Sequence, residues 1–340
     1  MSGVGTTHED LAQFLAEHHL AGAGLRREGL PAPRKGNTGN YWSWEGIRSG
    51  LMRSGEIVTV GGPDAMTGMR SVTGIEARNF PIWMNVQILM PGERTQAHRN
   101  MRSETRLVVE APEEAVFVCD YEAYPMKRGD IVISPNWTFH DHWNKGSFPA
   151  LFVDGYDNGY MGGNINEQLP NNDLYQEVTH PAGYAVQSLR LREGAGAPVF
   201  PLPVTRYPWV ETEASLQAMR DAEADGDPCD GLRLMFRSPV DGGATLPTIA
   251  WHVQLLNPRQ KTLTHRHNSN VFYHVFEGEG ATIIEGERLE WHKGDIFAIP
   301  PWKWHSHESS SSADTILFSI DDWPAKTKLG FYLKEEASAS

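Results

Sequence analysis

One pattern occurs twice in this sequence, at a nearly constant separation of 165 to 167 residues. Self-similarity at a fixed period indicates that one structural unit is repeated. The chain is therefore predicted to contain two copies of one domain. The residues shared by the copies are Gln87 and Gln254, His98 and His265, Gly129–Asp130 and Gly294–Asp295, Pro135 and Pro300, Trp137 and Trp302, His140 and His305, and His142 and His307.

Short apolar runs with turn residues between them fill both copies. Examples are IWMNVQIL, DIVISP and ALFVDGY, and the chain holds 33 Gly and 22 Pro. Such runs predict a sandwich or barrel of antiparallel strands. Helical spacing of apolar residues at 8–19, 44–55 and 211–226 predicts helices outside the strands. We expect a helical N-terminal region at 1–56, a first β-domain at 57–165, a linker with a helix at 166–230, and a second β-domain at 231–335.

Composition excludes several classes of protein. The formal net charge of −13 leaves no basic stripe for nucleic acid. Cys119 and Cys229 stand apart with no CxxC pair, which indicates free thiols in a reducing compartment. The N-terminal stretch has no signal-peptide pattern, and no run of 18 apolar residues is present. The sequence thus predicts a cytoplasmic protein without nucleic-acid or membrane partners.

Three histidines in the second copy predict a metal site. His265 and His267 are two residues apart, so on a strand their side chains point to the same face. His305 lies on a later strand that can reach that face. Imidazole nitrogen suits Fe, Zn, Cu and Ni, whereas Mg and Ca prefer oxygen. Three protein ligands would leave coordination positions open for a substrate and dioxygen, or for water.

The segments THRHNSNVFYHVFEGEG and GDIFAIPPWKWHSH resemble the two motifs of a cupin barrel. The paired copies resemble the bicupin ring-cleaving dioxygenases of the gentisate 1,2-dioxygenase family, which includes salicylate, 1-hydroxy-2-naphthoate and 5-nitrosalicylate dioxygenases. The likeness runs from about residue 42 to the end of the chain. Other cupins keep a fourth, acidic ligand where this second copy has Val271, which agrees with the three-His site of the family.

This resemblance implies a fold, a cofactor and a reaction. The fold would be mostly β, a bicupin of two cupin-type barrels with N-terminal and linker helices. The cofactor would be non-haem Fe(II). The partners would be O2 and a small hydroxylated aromatic acid, gentisate or a substituted salicylate, whose ring opens between the carboxyl-bearing and hydroxyl-bearing carbons. The assembly would be a homo-oligomer, a dimer or a tetramer.

The first copy departs from the family at one metal ligand. Its sequence is His98-Arg99-Asn100, followed by Glu104 and His140. An Asn oxygen is a weaker ligand than imidazole, but Glu104 occupies the place of the acidic ligand of other cupins. Three locations for the metal therefore remain open: the second barrel only, both barrels, or mainly the first. The complete set in the second copy makes that barrel the favoured location.

Further site residues follow from the resemblance. In the first copy, Arg70 and Arg106 would bind the substrate carboxylate, Trp83 and Gln87 would line the pocket, and His142 and Asp154 would support catalysis behind the ligands. In the second copy, Gln254, Tyr273 and Trp304 would line the pocket, and His307 would act as acid or base. Tyr273 stands where the first copy has Arg106, so a carboxylate anchor is not evident there.

Two functions of other classes remain open at this point. A metal-dependent isomerase or hydrolase could use a three-His site with Zn or Ni. A binding or regulatory bicupin without turnover would fit the altered first site.

Overall fold

A computed structural model describes residues 7–22, 40–58, 70–73, 81–157, 160, 165–184, 205–222, 226–239 and 241–337. The chain divides into two units. The first comprises Met1–Pro31, Gly46–Glu76 and Trp83–Trp209, and the second comprises Ala32–Glu45, Ala77–Ile82 and Val210–Ser340. Each unit contains one copy of the sequence repeat.

Helices lie at each of the three predicted segments. The helices are α1 (His8–Glu17), α2 (Trp44–Ile57), α3 (Trp209–Asp221) and α4 (Trp323–Lys328), with a 3-10 turn at Pro170–Asn172. Helix α1 begins with a capping box, because Thr7 and Asp10 each accept a backbone N–H from the other at 3.1 Å. Among the described residues, no helix is long and apolar enough to cross a membrane.

Antiparallel strands make up most of the rest. In chain order they are β1 (Ala21–Gly22), β2 (Asn40–Trp42), β3 (Arg70–Thr73), β4 (Trp83–Leu89), β5 (His98–Asn100), β6 (Glu104–Glu110), β7 (Val116–Cys119), β8 (Glu122–Pro125), β9 (Ile131–Ser134), β10 (His140–Trp143), β11 (Ala150–Tyr156), β12 (Asn166–Gln168), β13 (Thr205–Tyr207), β14 (Leu232–Met235), β15 (Ala250–Leu256), β16 (His265–His267), β17 (Val271–Glu277), β18 (Glu279–Ile284), β19 (Glu287–His292), β20 (Ile296–Ile299), β21 (His305–Ser309), β22 (Thr315–Asp321) and β23 (Lys334–Glu336).

Each unit is built from two sheets. In the first unit the sheets run in the orders β1-β3-β4-β11-β6-β9-β13 and β12-β5-β10-β7-β8. In the second unit the orders are β14-β15-β22-β17-β20-β2 and β19-β18-β21-β16-β23. The two units therefore repeat the same strand order, with β4 corresponding to β15, β5 to β16 and β10 to β21.

An apolar core lies inside each unit. In the first unit Phe117, Phe152 and Val108 are fully buried, and in the second Trp291 and Phe297 are. These residues come from alternating positions of their strands, as expected when one face of a sheet is covered.

A short arm precedes each barrel in the sequence, at residues 40–44 before the first barrel and 205–209 before the second. Strand β2 of the first arm pairs with β20 of the second unit, and strand β13 of the second arm pairs with β9 of the first unit. The N–H of Trp44 donates to Asp295 and that of Trp209 donates to Asp130, both at 2.8 Å. These two contacts are 165 residues apart, which is the separation of the repeated Gly–Asp pairs. In each barrel the Asp of that pair therefore binds the backbone of the arm.

Gly294 shows why the Gly–Asp pair recurs. Its φ is +92°, and a Cβ added there would overlap the Trp44 ring. We expect Gly294→Ala to lower the free energy of unfolding by about 3 kcal/mol, from left-handed backbone strain and overpacking together. Gly286 has φ +83° but nothing within 4 Å of an added Cβ, so Gly286→Ala should cost only about 1 kcal/mol. Urea denaturation measures both, and equal losses would contradict the role given to Trp44.

Candidate metal and substrate site

Three imidazoles converge in the second unit. His265 on β16 is the direct cross-strand partner of His305 on β21, and His267 lies two residues further along β16. The ring centroids are 4.2 Å apart for His265 and His305, and 5.1 Å apart for His267 and His305. Their nitrogen atoms lie within 4.8 Å of one another, a spacing that one metal ion can bridge.

Hydrogen bonds on the far side of the rings fix their orientation. Nδ1 of His305 donates to the carbonyl of Lys303 at 2.9 Å, which leaves the lone pair on Nε2. Nδ1 of His267 is 2.7 Å from the hydroxyl of Ser269. Burial lowers the pKa of His267 to about 3 and lowers that of His305 as well. Both rings are thus neutral near pH 7, the form that binds metal.

His307 lies close to His305, with the two ring centroids 5.9 Å apart. It is fully buried, two residues after His305 and on the same face of β21. Its Nδ1 is 2.9 Å from the hydroxyl of Thr282, which also accepts a hydrogen bond from the indole of Trp291 at 3.0 Å. Within the described part of the chain, its Nε2 has no partner. Burial lowers the pKa of His307 to about 3, so it is neutral and available for a hydrogen bond.

The first unit brings together His98, Glu104 and His140, with ligand atoms also within 4.8 Å. Nδ1 of His98 and of His140 each donate to a carbonyl two residues earlier, at 2.9 Å. The amide nitrogen of Asn100, which replaces the second histidine, donates a hydrogen bond to Glu104 at 2.7 Å. Burial lowers the pKa of His98 to about 4.

The Glu104 carboxylate already accepts hydrogen bonds from three side chains. One oxygen accepts from Asn100 and from Arg102, whose Nη2 is 2.9 Å away. The other accepts from Arg106, and Nε2 of His140 lies 3.1 Å from it. Burial alone would raise the pKa of Glu104, but the charges of Arg106 and Arg102 outweigh it and hold that pKa well below its usual value.

The same network continues away from Glu104. Nε of Arg106 lies 3.1 Å from Asp154, and its Nη1 donates to Ser134 at 2.5 Å. Asp154 also accepts from Gln87 and, at 2.9 Å, from the hydroxyl of Tyr156. Burial raises the pKa of Asp154 to about 7, against the opposing charge of Arg106. The interior of the first unit is therefore filled by side chains that pair with one another.

Strand register shows what replaces this network in the second unit. With Gln87 corresponding to Gln254, the cross-strand pairs place Ser319 where the first unit has Asp154. By the same pairs Tyr273 replaces Arg106, and Val271 replaces Glu104. The second unit therefore has a valine at the position where the Glu104 carboxylate occupies the site of the first unit.

The polar atoms left in the second interior have few partners. Gln254 and Ser319 are both buried, and among the described residues neither amide atom of Gln254 nor the hydroxyl of Ser319 makes a hydrogen bond. The ring of Tyr273 stacks on Phe297 at 4.9 Å. Buried polar groups are normally satisfied, so this arrangement indicates a place for a polar ligand.

The remaining predicted residues lie in varied surroundings. His142 is buried, its ring stacked on Phe152 at 5.0 Å, and Trp83 is half-buried on β4. Arg70 begins β3, and its side chain lies outside the described residues. Trp304 is a correction: Arg266, which points away from the face of its neighbours His265 and His267, covers the Trp304 ring at 4.4 Å. The indole therefore packs on the outer face and not beside the imidazoles.

Sequence reasoning missed one charged group in the second unit. Arg233 on β14 is the cross-strand partner of Gln254, so both side chains share the inner face. It is paired with Asp230 at 3.1 Å and with Asp321 at 3.5 Å. Arg233 has no counterpart among the repeated residue pairs, because the first unit has Ser71 opposite Gln87. Arg233 could be identified as a neighbour of Gln254 only from the register of β14 against β15.

The fold and the two histidine sites define a bicupin. Residues 85–156 and 252–321 each match the family described as Cupin domain. A salicylate 1,2-dioxygenase from Pseudaminobacter salicylatoxidans has a similar structure, with a TM-score of 0.74, 26% identity and 90% of each chain covered. The predicted mostly-β bicupin fold is thereby confirmed.

Sequence relatives identify the family more closely. The chain is 31% identical to a 5-aminosalicylate 1,2-dioxygenase of Comamonas sp, over 91% of this chain and 84% of that one. It is 30% identical to gentisate 1,2 dioxygenase 1 of Aquipseudomonas alcaligenes, over 88% and 87%. The chain belongs to the gentisate 1,2-dioxygenase family of ring-cleaving dioxygenases, as the resemblance predicted.

Removal of the Glu104 charge tests the network of the first unit. We expect Glu104→Gln to lower the free energy of unfolding by about 3 kcal/mol or more at pH 7, because two buried guanidinium groups lose their counter-charge. Glu167→Gln, which breaks an exposed pair with Arg99, should cost less than about 1 kcal/mol. Denaturant titration of both variants provides the measurement.

The effect should depend on pH in one direction. The folded-state pKa of Glu104 is lowered, so its stabilisation is complete above the pKa of a free glutamate and is lost as pH falls through the folded-state value. The difference between wild type and Glu104→Gln should therefore shrink on acidification below about pH 4.5. A difference that grows toward acid pH would contradict this account of the carboxylate.

Proposed function

We propose that this protein is an Fe(II)-dependent dioxygenase that opens the ring of a hydroxylated aromatic carboxylate at its second barrel. The substrate class is gentisate or a substituted salicylate, and the bond broken joins the carboxyl-bearing and hydroxyl-bearing carbons. Both atoms of O2 enter the ring-opened product. One observation carries the location: three neutral, converging imidazoles in the second unit, where the first has a carboxylate that accepts hydrogen bonds from three side chains.

The donor set of the second unit fits ferrous iron. His265, His267 and His305 would hold the ion through nitrogen, the ligand type that suits iron, with positions left open for exogenous ligands. Nε2 of His305 is buried and has no partner among the described residues, as expected of a ligand atom. When bound, iron would bring the aromatic acid and O2 together and let electrons pass between them.

Electrostatics disfavours the first unit as the main metal site. His98, Glu104 and His140 have the spacing of a 2-His-1-carboxylate set, which keeps this site as the competing location. However, a cation there would need lone pairs that Arg102, Arg106 and Asn100 already use. It would also lie beside two buried guanidinium charges, which repel it in a medium of low dielectric constant.

The protein's own residues would prepare the substrate in the second unit. The aromatic core below the site, with Tyr273 on Phe297, excludes water and offers a flat apolar surface to a ring. His307 is neutral and buried, and its position behind His305 suits a hydrogen bond to the phenolic hydroxyl of the substrate. Gln254 would offer an amide to polar substituents of the ring.

Metal content of two histidine variants tests the location. We expect His267→Ala to lose its iron and its oxygen consumption, with metal affinity reduced by more than about 100-fold, because loss of a direct ligand exceeds loss of an outer hydrogen bond. His98→Ala, which removes a candidate ligand of the first unit, should keep both. Mass spectrometry of bound metals and an oxygen electrode supply the two readouts.

The substrate assay should compare gentisate, 5-aminosalicylate, salicylate and hydroquinone. Oxygen uptake with one of the three acids, but not with hydroquinone, would support the proposed class. If His267→Ala keeps its iron and full activity while His98→Ala loses both, the reaction belongs to the first barrel. If iron-loaded wild-type protein consumes no oxygen with any aromatic acid, the proposed reaction is wrong.

A further inference from the structure

The second unit contains a guanidinium group on the inner face of the sheet that carries Gln254. Arg233 is the cross-strand partner of Gln254, whose neighbour Leu317 belongs to the apolar core. Because the side chains of cross-strand partners lie on the same face, Arg233 shares the interior with the buried amide of Gln254, which makes no hydrogen bond among the described residues.

Arg233 and Arg106 differ in how much of the guanidinium is engaged. In the first unit Nη1 and Nη2 of Arg106 hydrogen-bond to Ser134 and Glu104, and its side chain is fully buried. Its Nε lies 3.1 Å from Asp154 and, among the described residues, makes no hydrogen bond. Arg233 makes one contact at 3.1 Å, to Asp230, and a longer one at 3.5 Å, to Asp321. Its side chain is 28% exposed, and its Nε has no partner within the described residues.

The charge of the second site favours an anion once a divalent cation is bound. Burial would raise the pKa of Asp230, but Arg233 outweighs it, so Asp230 is ionised. Burial raises the pKa of Asp321 to about 7, so this group carries at most part of a charge near neutral pH. Together with Arg233 and a divalent ion among neutral imidazoles, the local charge is positive by one or two. An aromatic acid with one or two negative charges would balance it.

Arginine is the side chain whose shape fits a carboxylate. Its planar fork offers parallel N–H groups to the two oxygens, and such charge-assisted pairs are stronger than neutral hydrogen bonds. The long contact to Asp321 and the unpaired Nε leave donors for a second carboxylate. Arg233 on β14 therefore provides an anion-binding group next to Gln254 on the inner face of the sheet.

We propose that Arg233 binds the carboxylate of the aromatic acid in the second barrel, with Gln254 and Ser319 as its polar neighbours. This inference rests on the proposed function, since it names the group that recognises the substrate class of that site. In the second barrel the arginine that binds the carboxylate thus lies on β14. In the first barrel the comparable arginine, Arg106, lies on β6 and pairs with Glu104. Tyr273 at the former position leaves an apolar wall for the ring.

Calorimetry under anaerobic conditions tests the anchor without turnover. Salicylate and phenol share a ring and a hydroxyl, and only salicylate carries a carboxylate. In the iron-loaded protein, Arg233→Gln should weaken salicylate binding by about 10- to 100-fold, as expected when a hydrogen-bonded charge pair is lost. Phenol binding should be unchanged. Arg288→Gln, which removes an exposed arginine paired with Glu308, should change neither.

A second variant covers loss of folding or metal. Arg233→Lys keeps the positive charge but lacks the fork, so it should weaken salicylate binding by several-fold, about 5-fold or more, with iron content retained. Wild-type affinity for salicylate in an iron-loaded, folded Arg233→Gln or Arg233→Lys variant would overturn the proposal. So would wild-type protein that binds salicylate no more tightly than phenol.

Failure of the anchor and failure of the reaction give different results. If the wild type consumes no oxygen with aromatic acids, yet salicylate binding depends on Arg233, the anchor stands and the reaction does not. If the wild type turns over an aromatic acid at an iron site that His267→Ala destroys, and Arg233→Gln keeps the wild-type KM, the reaction stands and the anchor does not.

Discussion

The residue four positions after Asn100 in the first barrel, and after His267 in the second, determines whether a buried carboxylate occupies the interior. In the first it is Glu104, a buried carboxylate that accepts hydrogen bonds from Arg102, Arg106 and Asn100. In the second it is Val271, which adds no charge. A buried charge must be paired, so Glu104 requires arginines around it and these fill the interior. The valine imposes no such requirement, and in the second interior Nε2 of His305 and both amide atoms of Gln254 make no hydrogen bond among the described residues.

The two copies therefore have different interiors under the same strand order. Gln87, Asp154 and Arg106 pair with one another in the first, although Nε of Arg106 and one oxygen of Asp154 make no hydrogen bond among the described residues. In the second, all the side-chain polar atoms of the equivalents Gln254 and Ser319 are without a hydrogen bond in the same part of the chain. Family membership establishes a ring-cleaving dioxygenase, and this difference between interiors is the physical ground for proposing the second barrel as the location of its chemistry.

Much of the fold and part of the site were open to sequence reasoning. His265, His267 and His305 were predicted together because a two-residue spacing on a strand puts side chains on one face, and the repeat identified the third histidine. Trp304 was placed wrongly, since its neighbour His305 faces inward and the indole packs on the outer face with Arg266. The arms seated on Asp130 and Asp295 went unnoticed because their pairing joins residues far apart in the chain.

The sequence by itself determined the duplication, the β-rich fold and the ligand sets, because repeat spacing and side-chain alternation are local properties of the chain. Only the tertiary structure decided which of these groups are free to act. Whether Glu104 can bind a cation depends on whether the side chains of Arg102 and Arg106 point toward it. The position of Arg233 opposite Gln254 depends on the register of β14 against β15. Such pairings between distant segments follow from packing and strand register, which no local pattern specifies.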